Sequence, residues 1–542
     1  MGDDDDDVRG IAPRTPPLNR SSGDVTPTPT PTTMVIDETG RAAKLRMRGN
    51  EAFARGDWAL AHGLYGEALD ASSGDHDDDD DDGDARLRAV IYCNRSRVLA
   101  VMGEHEGALM DAKRAAEEAP KWSKPRRRLA EACLSLGSYA LAVAHARRGE
   151  ELLLKEENDH SESFRDLLDE IAIVAAENGS VAGFDGKLIY VRSAGEDAWL
   201  GREAPLSAVF DELEEEQPDP MFASGKSIRA RGAPVHARTL HEAMEKADDG
   251  DRILLLRGTH NGCGYVVDVE KRVLIRGEGT LRDATIDCRN NSPLFRIKRP
   301  CVIQNLDVDF TGFCEATRVV GDARVKPLIE NCLIKSSGGD GVAIGGKSAP
   351  TFRNCKIMGN KSAIRAYGRS NPTLVDCNVT LASLQGVLAM KESRVIMHAC
   401  MVQANEEDGV VAMEQANVVM NKCIIQDNKG PGVDVSDKAK VIMNDCEIDA
   451  NVGGLWLWDE ANAHAAGCNI KGGASHAVLI DVDARAVCRK CDIVGVVHAS
   501  ETGTKVAIGK GTVVTPLDVP TSLPRELKGA FKFDPCQFTR KQ

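Results

Sequence analysis

Aromatic residues make up only 4% of this 542-residue sequence, against 42% hydrophobic residues overall. Any core must therefore be filled by small and branched aliphatic side chains. No stretch of 18 apolar residues occurs, which excludes a helical membrane span. No apolar run follows the start, which reads Met1-Gly2 and then five aspartates. A secretory signal is therefore not expected, and Asp6 stands where N-myristoylation requires Ser or Thr. A basic excess is absent too: 68 Lys and Arg face 83 Asp and Glu, a formal net charge of −15. Asp3 to Asp7 and Asp77 to Asp82 supply eleven of those negatives, and such runs are solvated tails or loops. The rest is near neutral, which argues against a nucleic-acid surface.

What is abundant is cysteine, with 16 residues. Without a signal sequence, free thiols in a reducing cytoplasm or nucleus are the expectation. Eight of them recur every 22 or 23 residues: Cys332, Cys355, Cys377, Cys400, Cys423, Cys446, Cys468 and Cys491. Each is followed two places later by Ile or Val, from Ile334 to Ile493, and then by a short apolar strand such as Gly409-Val-Val-Ala-Met. A fixed period of this size means a coil stacked on copies of itself. With strand alternation inside each unit, the coil is a turn of a parallel β-helix, predicted over 235–515 with roughly eleven coils. Cysteine and isoleucine two apart point to one side of a strand, and coils about 4.8 Å apart stack them in ladders. Free buried cysteine behaves there as a small hydrophobe.

The N-terminal half has a different period. Residues 1–37 form an acidic and Pro-Thr-rich leader whose composition does not support a core. Over 38–153 the apolar spacing is helical, as in Ala43 and Met47 or Ala61, Tyr65 and Ala68, with glycines at the turns (Gly56, Gly103, Gly137). Three helix–turn–helix units of about 34 residues carry the tetratricopeptide signature. An acidic insert, 72–84, lengthens one connection at small entropic cost. A capping helix is expected over 154–177, a partly ordered linker over 178–234 with Leu188–Val191 as a strand and Leu206–Leu213 as a helix, and a cap or tail over 516–542. The expected fold class is multidomain: an all-α tetratricopeptide superhelix, then an all-β right-handed parallel β-helix.

Several motifs invite a chemical reading. Gly341 to Ser348 matches a P-loop, but Pro350 follows where a phosphate-binding helix must start. Cys488 and Cys491 form a C-x-x-C without the second pair that tetrahedral zinc needs. The outward row of the Gly-led strands reads Ala343, Arg365, Leu388, Val411, Asp434, Trp456 and Leu479. Asp434 and Asp481 are too far apart to form the carboxylate pair of glycoside hydrolysis. Leu388, Met390, Val411, Met413, Trp456 and Trp458 are expected to form an apolar stripe for a partner.

Residues 235–515 resemble the right-handed β-helix of pectin-lyase-like proteins, most closely the carbohydrate-binding and sugar-hydrolase (CASH) repeats. The carrying features are the coil period and the stretch from Thr239-Leu-His-Glu-Ala-Met to Gly250-Asp-Arg-Ile-Leu-Leu-Leu. The helical half resembles carboxylate-clamp co-chaperones in Arg46-Met-Arg-Gly-Asn50, Tyr92-Cys-Asn94-Arg-Ser and Trp122-Ser-Lys124-Pro-Arg-Arg-Arg128. That resemblance implies that Arg46, Asn50, Asn94, Lys124 and Arg128 hold the terminal carboxylates of a chaperone peptide of the Glu-Glu-Val-Asp type. Two departures stand out: Arg46 replaces a lysine, which keeps charge but changes shape, and Pro125 follows Lys124. The expectation is a non-enzymatic cytoplasmic adaptor without cofactor, metal, nucleic acid or membrane, binding a chaperone tail and an unknown protein client. The alternative is a carbohydrate-binding or polysaccharide-active β-helix with a docking module.

Overall fold

A computed structural model of the chain describes residues 40–72, 81–155, 162–193, 235–481, 483–499, 505–508 and 513–515. The leader, most of the acidic insert, Leu206–Leu213 and the tail 516–542 lie outside the described residues. The chain divides into two compact units, one ending at Gly183 and the other beginning at Phe184.

The first unit is helical: α1 (Arg41–Ala54), α2 (Trp58–Ala71), α3 (Asp81–Met102), α4 (His105–Glu118), α5 (Ser123–Ser135), α6 (Tyr139–Lys155) and α7 (Glu162–Glu177). Three antiparallel pairs and a seventh helix follow from the apolar spacing. Gly56, Gly103 and Gly137 have positive φ at the turn inside each pair, a backbone state glycine adopts without steric cost. The Asp57 carboxylate accepts from Leu60 N at 3.1 Å and caps α2. Alanine at the helix contacts lets the axes approach: Ala43, Ala52, Ala61, Ala68 and Ala112 are fully buried. Met47, read as core from its spacing, is instead 48% exposed.

The second unit is a parallel solenoid whose strands fall into sheets of 14, 12 and 11 members, each sheet taking every third strand. A short helix, α8 (Leu240–Lys246), precedes the repeating coils, with Thr239 capping it through Glu242 N at 3.1 Å. The strand Leu188–Val191 pairs with both Val235–Ala237 and Arg252–Leu255. That segment, expected in a linker, therefore belongs to the largest sheet. The expected isoleucine ladder exists: Ile334, Ile357, Val379, Val402, Ile425, Ile448, Ile470 and Ile493 stand in register. All are buried, each contributing about 2–3 kcal/mol of apolar burial.

The cysteines need a correction of place. Each sits just before its strand, at a corner, after a residue with φ near +50° in seven of the eight coils, such as Asn331, Asp376, Ala399 or Lys422; the eighth is Gly467, φ +65°. Each thiol donates to the carbonyl two residues back, for example Cys355 to Arg353 at 3.3 Å and Cys423 to Asn421 at 3.5 Å. The residue must be small, apolar and a weak donor at once, and cysteine is all three. The neighbouring Cys400 thiol, and then burial, push Cys423 up to about 12. All eight are reduced.

A second ladder was not anticipated. Asn405, Asn428 and Asn451 are buried at equivalent turns. Asn428 Oδ1 accepts from Asn405 N (3.1 Å) and Nδ2 (2.8 Å), and Asn451 Oδ1 does the same for Asn428. Their 23-residue spacing was visible in the sequence.

Candidate functional site

The first helix of each pair supplies one layer of the helical unit. Arg46 and Asn50 lie one turn apart on α1, Asn94 and Arg97 on α3, and Lys124 and Arg128 on α5. Glycine in the Arg46-Met-Arg-Gly-Asn50 run has a packing cause: a Cβ at Gly49 would lie 2.6 Å from Tyr65 Cε1. That close approach lets the Tyr65 hydroxyl donate to Asn50 Oδ1 at 2.6 Å. Asn94 Nδ2 donates to the same oxygen at 3.0 Å. With its oxygen doubly occupied, Asn50 presents its amide protons, which have no acceptor among the described residues.

The Asn94-Arg95-Ser96 run divides its work. Arg95 makes a two-pronged pair with the buried Asp111 on α4, at 2.7 and 2.8 Å. The Ser96 hydroxyl donates to Ala108 O at 2.8 Å. Both lock α3 to α4, leaving Asn94 for the inner layer.

Lys124 is the second residue of α5, whose first residue is Ser123. Pro125 therefore falls in the first turn, where its missing N–H has no intrahelical partner to lose. Burial and then Arg128, with Arg97 and Arg46 further off, push Lys124 down to about 8. Its ammonium lies 5.6 Å from the Trp122 ring centre, and Arg86 covers the same ring at 3.6 Å. No carboxylate pairs with Lys124 among the described residues. Arg128 does have one: it bonds to Glu131, which also accepts from Arg127 at 2.9 Å. Burial raises the Glu131 carboxyl, but Arg128 and Arg127 win, and its pKa is lowered.

Arg97 is a cation of this layer that the motif reading passed over. Its guanidinium lies 5.0 Å from the Phe53 ring centre, and burial, then Arg128, lower its pKa. The signal was there: Arg97 is three residues after Asn94 and so on the same face. The arrangement offers several cationic and amide donors around one excess of positive charge, which suits a ligand carrying more than one carboxylate.

On the coils, the outward row pairs as expected, from Ala343 through Arg365, Leu388, Val411, Asp434 and Trp456 to Leu479. It is not an open stripe. Leu388, Val411 and Trp456 keep only 9%, 8% and 7% exposure, and Met390, Met413 and Trp458 are half-buried. The row also meets a carboxylate that strand phase did not reveal, Asp408. Trp458 Nε1 donates to Asp434 Oδ1 at 2.8 Å, and Trp456 stands edge-on to Trp458 at 6.1 Å. Burial pushes Asp434 up to about 6. Asp408, in the preceding turn, is raised well above its ordinary value by burial, then by Asp434, then by Glu407.

The remaining motifs are structural. Gly341–Ser348 forms the strand Val342–Gly346 and its end, with Ser348 Oγ donating to Gly345 O at 2.8 Å. Cys488 and Cys491 are both buried in the coil core. Among the described residues no group of three or more His, Cys, Asp or Glu is placed to hold a metal, and no helix is long and apolar enough to cross a membrane.

Comparison with known proteins separates the two halves. Residues 318–470 match the family model described as the right handed beta helix region. The N-terminal helical region is similar to small glutamine-rich tetratricopeptide repeat-containing protein 2 of Mycosarcoma maydis, 29% identical over 116 residues. That match covers 21% of this chain and 29% of the relative. It is also similar to the Hsp70-Hsp90 organizing protein of Triticum aestivum, 32% identical over 108 residues, 20% of this chain and 16% of that one. The chain thus spans less than a third of the length of these curated relatives. Among solved structures, the Sgt2 TPR domain from Aspergillus fumigatus matches at 28% identity and a TM-score of 0.21, over 25% of this chain and 82% of that one. The A-module of the Azotobacter vinelandii mannuronan C-5 epimerase AlgE4 matches at 12% identity and a TM-score of 0.35, over 51% of this chain and 94% of that one. The chain joins tetratricopeptide co-chaperone-like helices to a right-handed parallel β-helix.

Proposed function

We propose that this protein is an adaptor whose helical unit binds the acidic C-terminal peptide of a heat-shock chaperone, of the Glu-Glu-Val-Asp type. The observation that carries the reading is Lys124: a half-buried cation at the start of α5, crowded by other cations and lacking a carboxylate partner among the described residues. Such a group is unfavourable until an anion arrives. A terminal Asp brings two carboxylates together; Lys124 and Arg128 supply charge, Asn50 and Asn94 neutral donors, and Arg46 a further cation. The first turn of α5 adds its amide dipoles to the same attraction. The β-helix would present a client or complex partner. The similarity to the Hsp70-Hsp90 organizing protein, whose name joins two chaperones, supports the peptide partner. Calorimetry on the full chain with an MEEVD peptide tests this. Saturable binding lost in Lys124→Ala and Arg128→Ala is expected; no saturable binding by the wild type overturns it.

One observation favours a second reading for the coils. Asp434, raised by burial, bonds to Trp458 of the Trp456–Trp458 pair, and Asp408, also raised by burial, acts on Asp434. A carboxyl with a raised pKa beside aromatic rings is the chemistry of a sugar-binding or sugar-cleaving face. A glycan array and polysaccharide turnover, each repeated with Asp434→Asn and Trp458→Ala, test it; no glycan retained and no turnover by the wild type removes it.

A further inference from the structure

We propose, building on the peptide reading above, that Arg97 is a specificity residue selecting peptides with a carboxylate two positions before the terminal Asp. Charge accounting leads there first. Arg128 shares Glu131 with Arg127, whereas Arg97 has no carboxylate within ion-pair distance among the described residues. A terminal Asp brings two carboxylates for Lys124, Arg128 and the α1 cation, and leaves Arg97 unanswered.

Geometry leads to the same place. Arg97 is three residues beyond Asn94 on α3, about 4.5 Å further along the axis. In an extended peptide the side chains at alternate positions point the same way, about 6.6–6.8 Å apart. A chain whose last residue sits at Asn50 and Asn94 therefore turns the side chain two places earlier toward the next turn of α3. Phe53 holds the guanidinium in position from one side, and Arg97 itself is exposed at the surface. Arg128 in the same layer adds to the excess of positive charge around it, so a carboxylate placed beside Arg97 relieves more repulsion than it would at an isolated arginine.

The experiment is a titration of the full chain with MEEVD and MEQVD peptides. A charge-assisted hydrogen bond contributes about 1.5–3 kcal/mol, so wild type should bind MEEVD about tenfold or more tighter. Arg97→Gln should bind the two peptides alike, with its MEQVD affinity near wild type. Arg97→Glu should invert the preference between MEEVD and MEKVD, which guards against a merely weakened fold. Wild type that binds both peptides equally, or Arg97→Gln that keeps the wild-type ratio, overturns this assignment while leaving the clamp intact. Wild type that binds neither overturns the peptide reading on which it rests.

Discussion

Asn428, buried among the coils, bonds to the asparagine of the coil on either side. Lys124, half-buried on the helical unit, is surrounded by Arg46, Arg97, Arg128 and a thiol. Both side chains are polar, both belong to a repeated unit, and both are withdrawn from water. The coils answer each buried polar group with the same group one rung away, so identical neighbours satisfy one another. The helices place like charges on one layer and leave part of that charge unanswered. A ladder that closes on itself stabilises; a cluster that does not is held ready for something else.

Asn428→Ala attacks the closed ladder and carries the largest expected effect. It strands the backbone and side-chain amides of Asn405, each buried orphan costing about 1–3 kcal/mol, and leaves Asn451 Oδ1 with the backbone donor alone. A loss of about 3 kcal/mol in the denaturant stability of the coil unit is expected, with MEEVD affinity unchanged. A stability near wild type would mean that the ladder is ornamental.

Lys124→Met attacks the open cluster and should behave in the opposite manner. Peptide affinity should fall at least tenfold, while the helical unit's denaturation midpoint stays level or rises, because a crowded cation has been removed. A midpoint that falls with binding would make Lys124 a packing residue and erase the contrast with Asn428.

Cys423 sharpens what a rung needs. Its thiol fills the corner and donates to Asn421 O at 3.5 Å. Cys423→Ala should cost about 1 kcal/mol through lost packing and the lost thiol bond, Asn421 O keeping the N–H of Ala399. Cys423→Ser, which keeps a donor, should cost less, read by the same denaturation. A serine variant worse than alanine would make apolar filling the whole role of the cysteine.

The same contrast decides what the sequence made legible. Ladders follow from spacing alone, so the isoleucines and the outward row from Ala343 to Leu479 were placed in their pairing register before any coordinates. The corners were not, because Asn331, Asp376, Ala399 and Lys422 share a backbone angle and no chemistry. Asp408 lies in a turn, outside strand phase, and its approach to Asp434 depends on how that turn folds. Leu388, Val411 and Trp456 were placed in the right row but with the wrong exposure, since alternation gives direction and says nothing of what lies above. In the helical unit, Asn50 could be named from its motif. That Tyr65 fixes which end of its amide faces outward could not, because the contact crosses from α1 to α2.

The smallest expected effect is a dependence on pH. Lys124 titrates near 8 when folded, below the about 10.4 of an unfolded lysine. Its charged form is thus disfavoured by folding, and the penalty is in full force below pH 8. Between pH 8 and about 10.4 the unfolded chain binds more protons at this site, so its contribution to stability rises with pH. Peptide binding should run the other way. A carboxylate beside Lys124 restores its proton, so binding takes up protons and affinity declines as pH passes through 8. The groups facing it are Arg46 on α1, Cys93 and Arg97 on α3, and Arg128 on α5; of these only Cys93 can change charge near this range, and burial pushes it up to about 11. Calorimetry at pH 7 and 9, in buffers of different ionisation enthalpy, should show a few-fold weaker binding at pH 9 and proton uptake there. Both signals should vanish in Lys124→Met. Binding that is flat in pH, without proton uptake, would show that Lys124 keeps its charge unaided, and the open cluster would then differ from the closed ladder only in geometry.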